Sequence, residues 1–203
     1  MKKITRTIFL VVLVFLCYQL YQTYHAVEQV MTFQPLVQEV LAENDTAANE
    51  ELVLAMIYTE TKGKQVDVMQ SSESATGYIN AITDSKESIR QGVIYLSQNL
   101  QLAGERGVDV WTAVQAYNFG QTYIDYVAAN GGENSLDLAE EYSKTVVAPS
   151  LGNTSLETYT YWHPLALVNG GKLYVNGGNM YYSRQVQFNM YLMRFINLFN
   201  PPS

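Results

Sequence analysis

The feature that most limits what this chain can fold into lies at its start. Lys2, Lys3 and Arg6 precede an uncharged run, Ile8-Phe9-Leu10-Val11-Val12-Leu13-Val14-Phe15-Leu16-Cys17, and apolar character fades through Leu20 and Tyr21. A basic flank followed by such a run is a secretion signal or a signal anchor, not part of a water-soluble core. The run is shorter than the ~20 residues of a full span, but Tyr18, Tyr21 and Tyr24 can sit at the far interface. The flank predicts the N-terminus inside and the remaining chain outside. Ala26, after Tyr24 and His25, is a poor cleavage site. A retained single-pass anchor over residues 1–25 is therefore expected, with secretion after cleavage as the alternative. Phe15 and Leu16 are too bulky for the small-residue pattern before a lipid-modified cysteine, so Cys17 reads as an apolar residue of the anchor. Residues 26–203 remain to fold as one domain.

That domain relies on its core alone, because Cys17 is the one cysteine and no internal disulfide can form. A chain of 203 residues suffices for one sizeable core. Three of the twelve basic residues and none of the acids precede position 25. Nine basic residues therefore face nineteen acidic ones in the exported part, a net charge of −10. Such a domain repels polyphosphate, which excludes nucleic acid as a partner and leaves a neutral or lightly charged glycan compatible. His25 and His163 with one cysteine make no zinc set, so no metal is expected, and nothing implies a cofactor.

Helical patterning dominates the rest. Val27, Val30, Met31, Val37, Val40 and Leu41 recur at helical spacing, interrupted by Pro35, which predicts a kinked helix or two short ones. Asn44-Asp45-Thr46 offers N-caps for a helix carrying Leu52, Ala55, Met56 and Thr59 on one face and stopping at Gly63. Residues 64–83 have no period and read as irregular. Asp84-Ser85-Lys86-Glu87 opens an amphipathic helix through Ile89, Val93, Leu96 and Leu100, and Asp109 caps a short one from Val110 to about Asn118. Further helices are expected at Thr122–Ala129, from Ser135 to a stop at Pro149, and from Tyr181 to Phe199 before Pro201-Pro202. Thr158-Tyr159-Thr160-Tyr161-Trp162 is β-prone. Val168-Asn169-Gly170-Gly171 recurs as Val175-Asn176-Gly177-Gly178 around Lys172-Leu173-Tyr174, the pattern of tight turns flanking a small strand pair.

Chemistry concentrates in three runs. Glu60 follows Met56, Ile57 and Tyr58 at a helix C-terminus, where an apolar wall and the helix dipole both favour the neutral acid. The alternative is a solvated helix-end residue beside Lys62 and Lys64. Met69-Gln70 supplies an apolar floor and an amide that donates and accepts toward a sugar. Thr61 and Ser71 add hydroxyls. Tyr117 and Asn118 end a helix before Gly120, which lets a backbone approach closely. Tyr117 can hydrogen-bond Glu60 or stack on a pyranose ring, and Asn118 can hold an N-acetyl or hydroxyl group. A raised-pKa carboxyl facing sugar-sized polar groups suits glycosidic-bond cleavage.

In order and spacing, Glu60-Thr61-x-Gly63, Met69-Gln70 and Ala116-Tyr117-Asn118-x-Gly120 resemble the signature of goose-type lysozymes and soluble lytic transglycosylases. Asp67 through Ser74, Ile82-Thr83-Asp84 through Ser88-Ile89, and Gln115 through Gly120 resemble more closely the lysozyme-like domain family typified by pneumococcal vaccine antigen A. That domain type also occurs in bifunctional wall hydrolases of conjugative elements. The resemblance covers roughly residues 26–200. It implies a mainly α, lysozyme-like fold with a small β-hairpin region, acting on the glycan strands of peptidoglycan between N-acetylmuramic acid and N-acetylglucosamine. Glu60 maps onto the family's catalytic acid, Gln70 and Asn118 onto substrate-contacting positions, and Tyr117 onto the tyrosine that supports the acid. Thr61 stands where Ser is commoner, and Asp67 where a Gly is usual.

A second carboxylate is left open. Asp84 is the first candidate for a base, with helix N-cap as its equally weighted alternative. Asp67 is the second and Glu73 the third. A lytic transglycosylase and a non-catalytic glycan-binding surface module are the rival readings, since fold alone does not carry activity.

Overall fold

A computed structural model describes residues 2–44, 46–72, 77–78 and 81–198, with side chains from Ile4 onward. Its first helix, α1 (Lys2–Met31), runs without a break through position 25, so the expected domain boundary falls inside it. Ile4–Met31 is long and apolar enough to cross a membrane. Its side chains from Ile4 to Gln22 are exposed, whereas Ala26, Val27 and Val30 are buried in the domain. The chain breaks at Thr32–Phe33. Pro35 sits in the first turn of α2 (Gln34–Glu43), where its missing N–H removes no hydrogen bond. Of the two expected forms the chain takes two helices rather than one kinked helix, but the first is long and continuous with the apolar segment.

Helix α3 (Glu50–Glu60) is capped by Asn49, whose side chain accepts from Leu52 N at 2.9 Å. Asn44 instead ends α2, and Asp45 lies outside the described residues. Every residue from Leu52 to Tyr58 is buried, so α3 is a central helix wrapped on all sides rather than an amphipathic one. α1, α2 and the last helix pack around it.

Asp84, Asp109 and Ser135 cap the following helices as their positions predict. α4 (Ser85–Arg106) buries Ile89, Val93, Leu96 and Leu100 and stops at Gly107, whose φ of 66° suits a residue without Cβ. α5 (Val110–Phe119) stops at Gly120, α6 is Thr122–Ala129 and α7 is Leu136–Tyr142. Pro149 does not end that segment. The chain widens into a π turn at Ser143–Val147 and takes Pro149 into α8 (Ala148–Ser150), where its lack of an N–H is accommodated.

β1 (Thr158–Thr160) pairs antiparallel with β2 (Lys172–Tyr174), Tyr159 opposite Leu173, and α9 (Pro164–Leu167) lies between them. The two Val-Asn-Gly-Gly turns flank β2. α10 (Tyr182–Asn197) returns across α3 and is tied to it by an Arg194–Glu51 ion pair and a 3.0 Å bond from Asn189 Nδ2 to Thr59 Oγ1. Pro201-Pro202 lies outside the described residues. The fold is mainly helical with one small hairpin, and its centre is the helix that ends at Glu60.

Candidate active site

Glu60 is the last residue of α3 and is mostly shielded from water. The Tyr182 hydroxyl, from the first turn of α10, donates to its Oε1 at 2.6 Å. Burial pushes the Glu60 carboxyl up to about 7. The Tyr182 bond works against that rise, and the nearby charge of Asp67 adds to it. Tyr182 is 2 % exposed, and its ring stacks on that of Tyr117, centroids 6.2 Å apart and nearly parallel.

Tyr117 does not bond to Glu60. Its hydroxyl donates to Met69 O at 3.0 Å, joining the end of α5 to the loop after α3. Burial pushes this phenol far above its ordinary range, and the charges of Glu60 and Asp67 push the same way. The expected tyrosine–acid contact exists, but Tyr182 makes it. From sequence, Tyr182 had only the aromatic texture of the tail to mark it.

The turn leaving Glu60 is tightly built. Thr61 is buried; its hydroxyl donates to Val68 O at 2.9 Å and accepts from Gly63 N at 3.2 Å. Lys62 and Gly63 both adopt positive φ, 54° and 68°, which reverses the chain at once. Thr61 therefore fastens the loop, and its hydroxyl is engaged by backbone.

Asp67 organises the next stretch. Oδ1 accepts from Ser71 N at 2.9 Å and Ser88 Oγ at 2.7 Å, and Oδ2 accepts from Ser72 Oγ at 2.6 Å and Ser72 N at 3.1 Å. Burial raises this carboxyl. The Ser72 and Ser88 hydroxyls and the Ser71 and Ser72 N–H groups outweigh burial and hold it below the ordinary carboxylate range. Asp67 is thus a fixed, saturated anion near an acid whose carboxyl is held up to about 7. Ser71, expected at the substrate, is buried inside this cage, with its hydroxyl on Ser88 O at 2.9 Å.

Gln70 and Asn118 are both exposed and line one groove of about 640 Å³, together with Tyr95, Tyr117, Tyr142 and Leu151. Gln70 stands at φ 50°, a left-handed conformation that costs a non-glycine residue on the order of 1 kcal/mol, and its Nε2 donates to Gln65 Oε1 at 2.9 Å and to Asp67 O at 3.0 Å. Asn118 Oδ1 accepts from Asn179 N at 2.7 Å, which leaves its NH₂ group for other partners. Glu60 is not a lining residue of this groove; Tyr117 links the two, lining the groove on one side and stacking on Tyr182 on the other. Asp84 is exposed and accepts from Glu87 N at 3.0 Å, the N-cap of α4. Glu73 lies outside the described residues.

Residues 27–190 match the family model described as lysozyme-like. The chain is 64 % identical over 187 residues to the pneumococcal vaccine antigen A homolog of Streptococcus pyogenes serotype M1, covering 92 % of this chain and 94 % of that one. It is 58 % identical to pneumococcal vaccine antigen A of Streptococcus pneumoniae, over 98 % of each. A bifunctional muramidase/DL-endopeptidase of Bacillus subtilis, CwlT, is 33 % identical over 61 % of this chain and 37 % of its own length. Among solved structures, an NLP/P60-family lipoprotein-like protein of Staphylococcus aureus superposes with a TM-score of 0.71 at 33 % identity, covering 80 % of this chain and 52 % of that one. With the half-buried glutamate at the end of the central helix and the groove beside it, these matches make the assignment: the chain belongs to the lysozyme-like family.

Proposed function

We propose that this protein is a peptidoglycan N-acetylmuramidase, anchored by α1 with its domain on the wall side of the membrane. The observation that carries the reading is Glu60, whose carboxyl is held up to about 7 on an apolar wall and oriented by Tyr182. Such a group is still substantially protonated near neutrality. It delivers its proton to the glycosidic oxygen as the C1–O bond breaks, and its carboxylate then takes a proton from the attacking nucleophile. Gln70 and Asn118 bind the glycan along the groove, and Tyr95 and Tyr117, both half-buried, supply aromatic faces there. The muramidase named among the relatives supports the same bond as target. A zymogram of peptidoglycan with Glu60→Gln against the parent chain tests it: clearing by the parent alone is expected, and equal clearing would reject Glu60 as the acid.

One observation favours a second reading, lytic transglycosylation. Of the candidate bases, the two among the described residues are engaged: each Asp67 oxygen has at least two partners, and Asp84 caps α4. With Asp67 and Asp84 both engaged, attack by the muramyl 6-hydroxyl, deprotonated by Glu60, is chemically sufficient. Reducing ends in the product mean hydrolysis, and 1,6-anhydro ends mean transglycosylation.

A further inference from the structure

The helix that can cross a membrane does not stop short of the domain; it enters it. About 20 helical residues span the ~30 Å hydrocarbon core, so a span beginning at Ile4 leaves the core near Thr23. At that level the Thr23 side chain already lies against the Tyr58 phenol. Within the next three turns Ala26, Val27 and Val30 are buried in the domain core. Gln29 Nε2 donates to Gly63 O at 3.3 Å, and the Phe33 ring fills the space where a Gly63 side chain would stand, 3.0 Å from that Cβ position. Met31 Sδ accepts from Asn197 Nδ2 at 3.5 Å, closing the far side.

Two of these contacts bracket the candidate acid. Tyr58 precedes Glu60 by two residues and Gly63 follows it by three. No linker separates the membrane segment from the catalytic turn, and Val27 and Val30 cannot leave the core without exposing it. From Thr23 to the Glu60 carboxyl the path is one tyrosine side chain, two residues of backbone and one glutamate side chain. Its full stretch is roughly 20 Å. Lys62 and Lys64, both exposed, sit on this turn in an otherwise acidic domain and suit anionic lipid headgroups.

We propose that α1 fixes the Glu60 site within about 20 Å of the bilayer hydrocarbon, so that its substrate is the glycan lying against the membrane surface, including strands still joined to lipid, rather than glycan deeper in the wall. This rests on the glycosidase reading and on the outward orientation of the domain. The membrane is the ruler, and the helix sets the height.

The test uses the full chain reconstituted in vesicles containing anionic lipid. In a Cys17→Ser, Lys64→Cys variant a donor dye at position 64 is read against acceptors on lipid headgroups, which gives its height above the membrane. A height below about 30 Å, the thickness of one hydrocarbon core, is expected, and a greater one overturns the proposal. Inserting seven helix-forming residues of mixed Ala, Glu and Lys between Tyr21 and Gln22 lifts the domain by about 10 Å. In that chain, cutting of lipid-linked glycan in the same vesicles should fall at least about threefold, while cutting of soluble glycan fragments stays unchanged. Unchanged rates on both substrates, with the dye raised, overturn the substrate assignment. If the parent chain cuts neither, the glycosidase reading fails, and the dye height, which needs no catalysis, still decides the placement.

Discussion

The Tyr182 hydroxyl donates to Glu60 Oε1 at 2.6 Å across 122 positions of sequence, and its own ring is sandwiched against Tyr117. This bond aims the carboxyl, and it also opposes the burial that keeps the carboxyl neutral. Tyr182→Phe removes both effects while keeping the stacked ring. The cut rate at neutral pH should fall about ten- to a hundredfold, the worth of one hydrogen bond to a charged group. The alkaline limb of the pH–rate profile should move above its parent position, because the donor that favours ionisation has gone. A lowered rate with an unmoved limb would mean that Tyr182 is only packing.

Glu60 also makes stability depend on pH. Its folded pKa, about 7, lies above the ordinary 4.5. The favourable state is therefore fully present below about pH 4.5 and is lost as pH rises through 7. The ionised, shielded carboxylate should cost roughly 3 kcal/mol above that point. Glu60→Gln should be inactive yet more stable than the parent at pH 8, with little difference between them at pH 5. Thermal melts at the two pH values read this directly. An equal offset at both would show that position 60 does not titrate across that range.

Local signals placed most helices and put Glu60 at the end of α3. Asp84, Asp109 and Ser135 cap where their side chains predict, because a cap depends only on residues three positions away. Glu60 was visible for the same reason, an acid at the end of an apolar helix. What escaped were partnerships made at long range. Nothing near Tyr182 says that its hydroxyl meets a carboxylate on α3, and nothing near Ser88 says that it closes the cage on Asp67. Ser71 has a hydroxyl suited to sugar, yet that hydroxyl donates to Ser88 O, 17 residues on, and its N–H to the Asp67 carboxylate. The extension of the N-terminal apolar helix to Met31 was hidden too, since Val27 and Val30 fit either an independent helix or a continuation.

Asp67 has the clearest electrostatic task. It keeps a full negative charge near Glu60, saturated by Ser71, Ser72 and Ser88, and thereby holds the Glu60 proton in place. Asp67→Asn removes the charge and turns an NH₂ group toward donors. It should destabilise the domain by about 2–4 kcal/mol and move the alkaline limb of activity to lower pH. Because the folded pKa of Asp67 is below its ordinary value, its own stabilisation is present above the usual carboxylate range and fades as acid protonates it. An unmoved limb in a folded Asn variant would separate Asp67 from the proton on Glu60.

Gly92 gives the sharpest steric test of the site's architecture. A Cβ there would lie 2.6 Å from Met69 Sδ and 2.9 Å from the Tyr117 hydroxyl. The Met69 sulfur can swing away, but the Tyr117 hydroxyl is held on Met69 O, so relief on one side disturbs the other. Helix propensity alone would make Gly92→Ala stabilising by roughly 1 kcal/mol within α4. Overpacking should reverse that sign, with a net loss of about 1–2 kcal/mol and reduced glycan cutting as Tyr117 shifts against Tyr182. Adding Met69→Ala opens room for the new methyl and should restore part of the activity that Gly92→Ala loses. A stabilised, fully active Gly92→Ala chain would show instead that the α4–α5 contact under Tyr117 is loose.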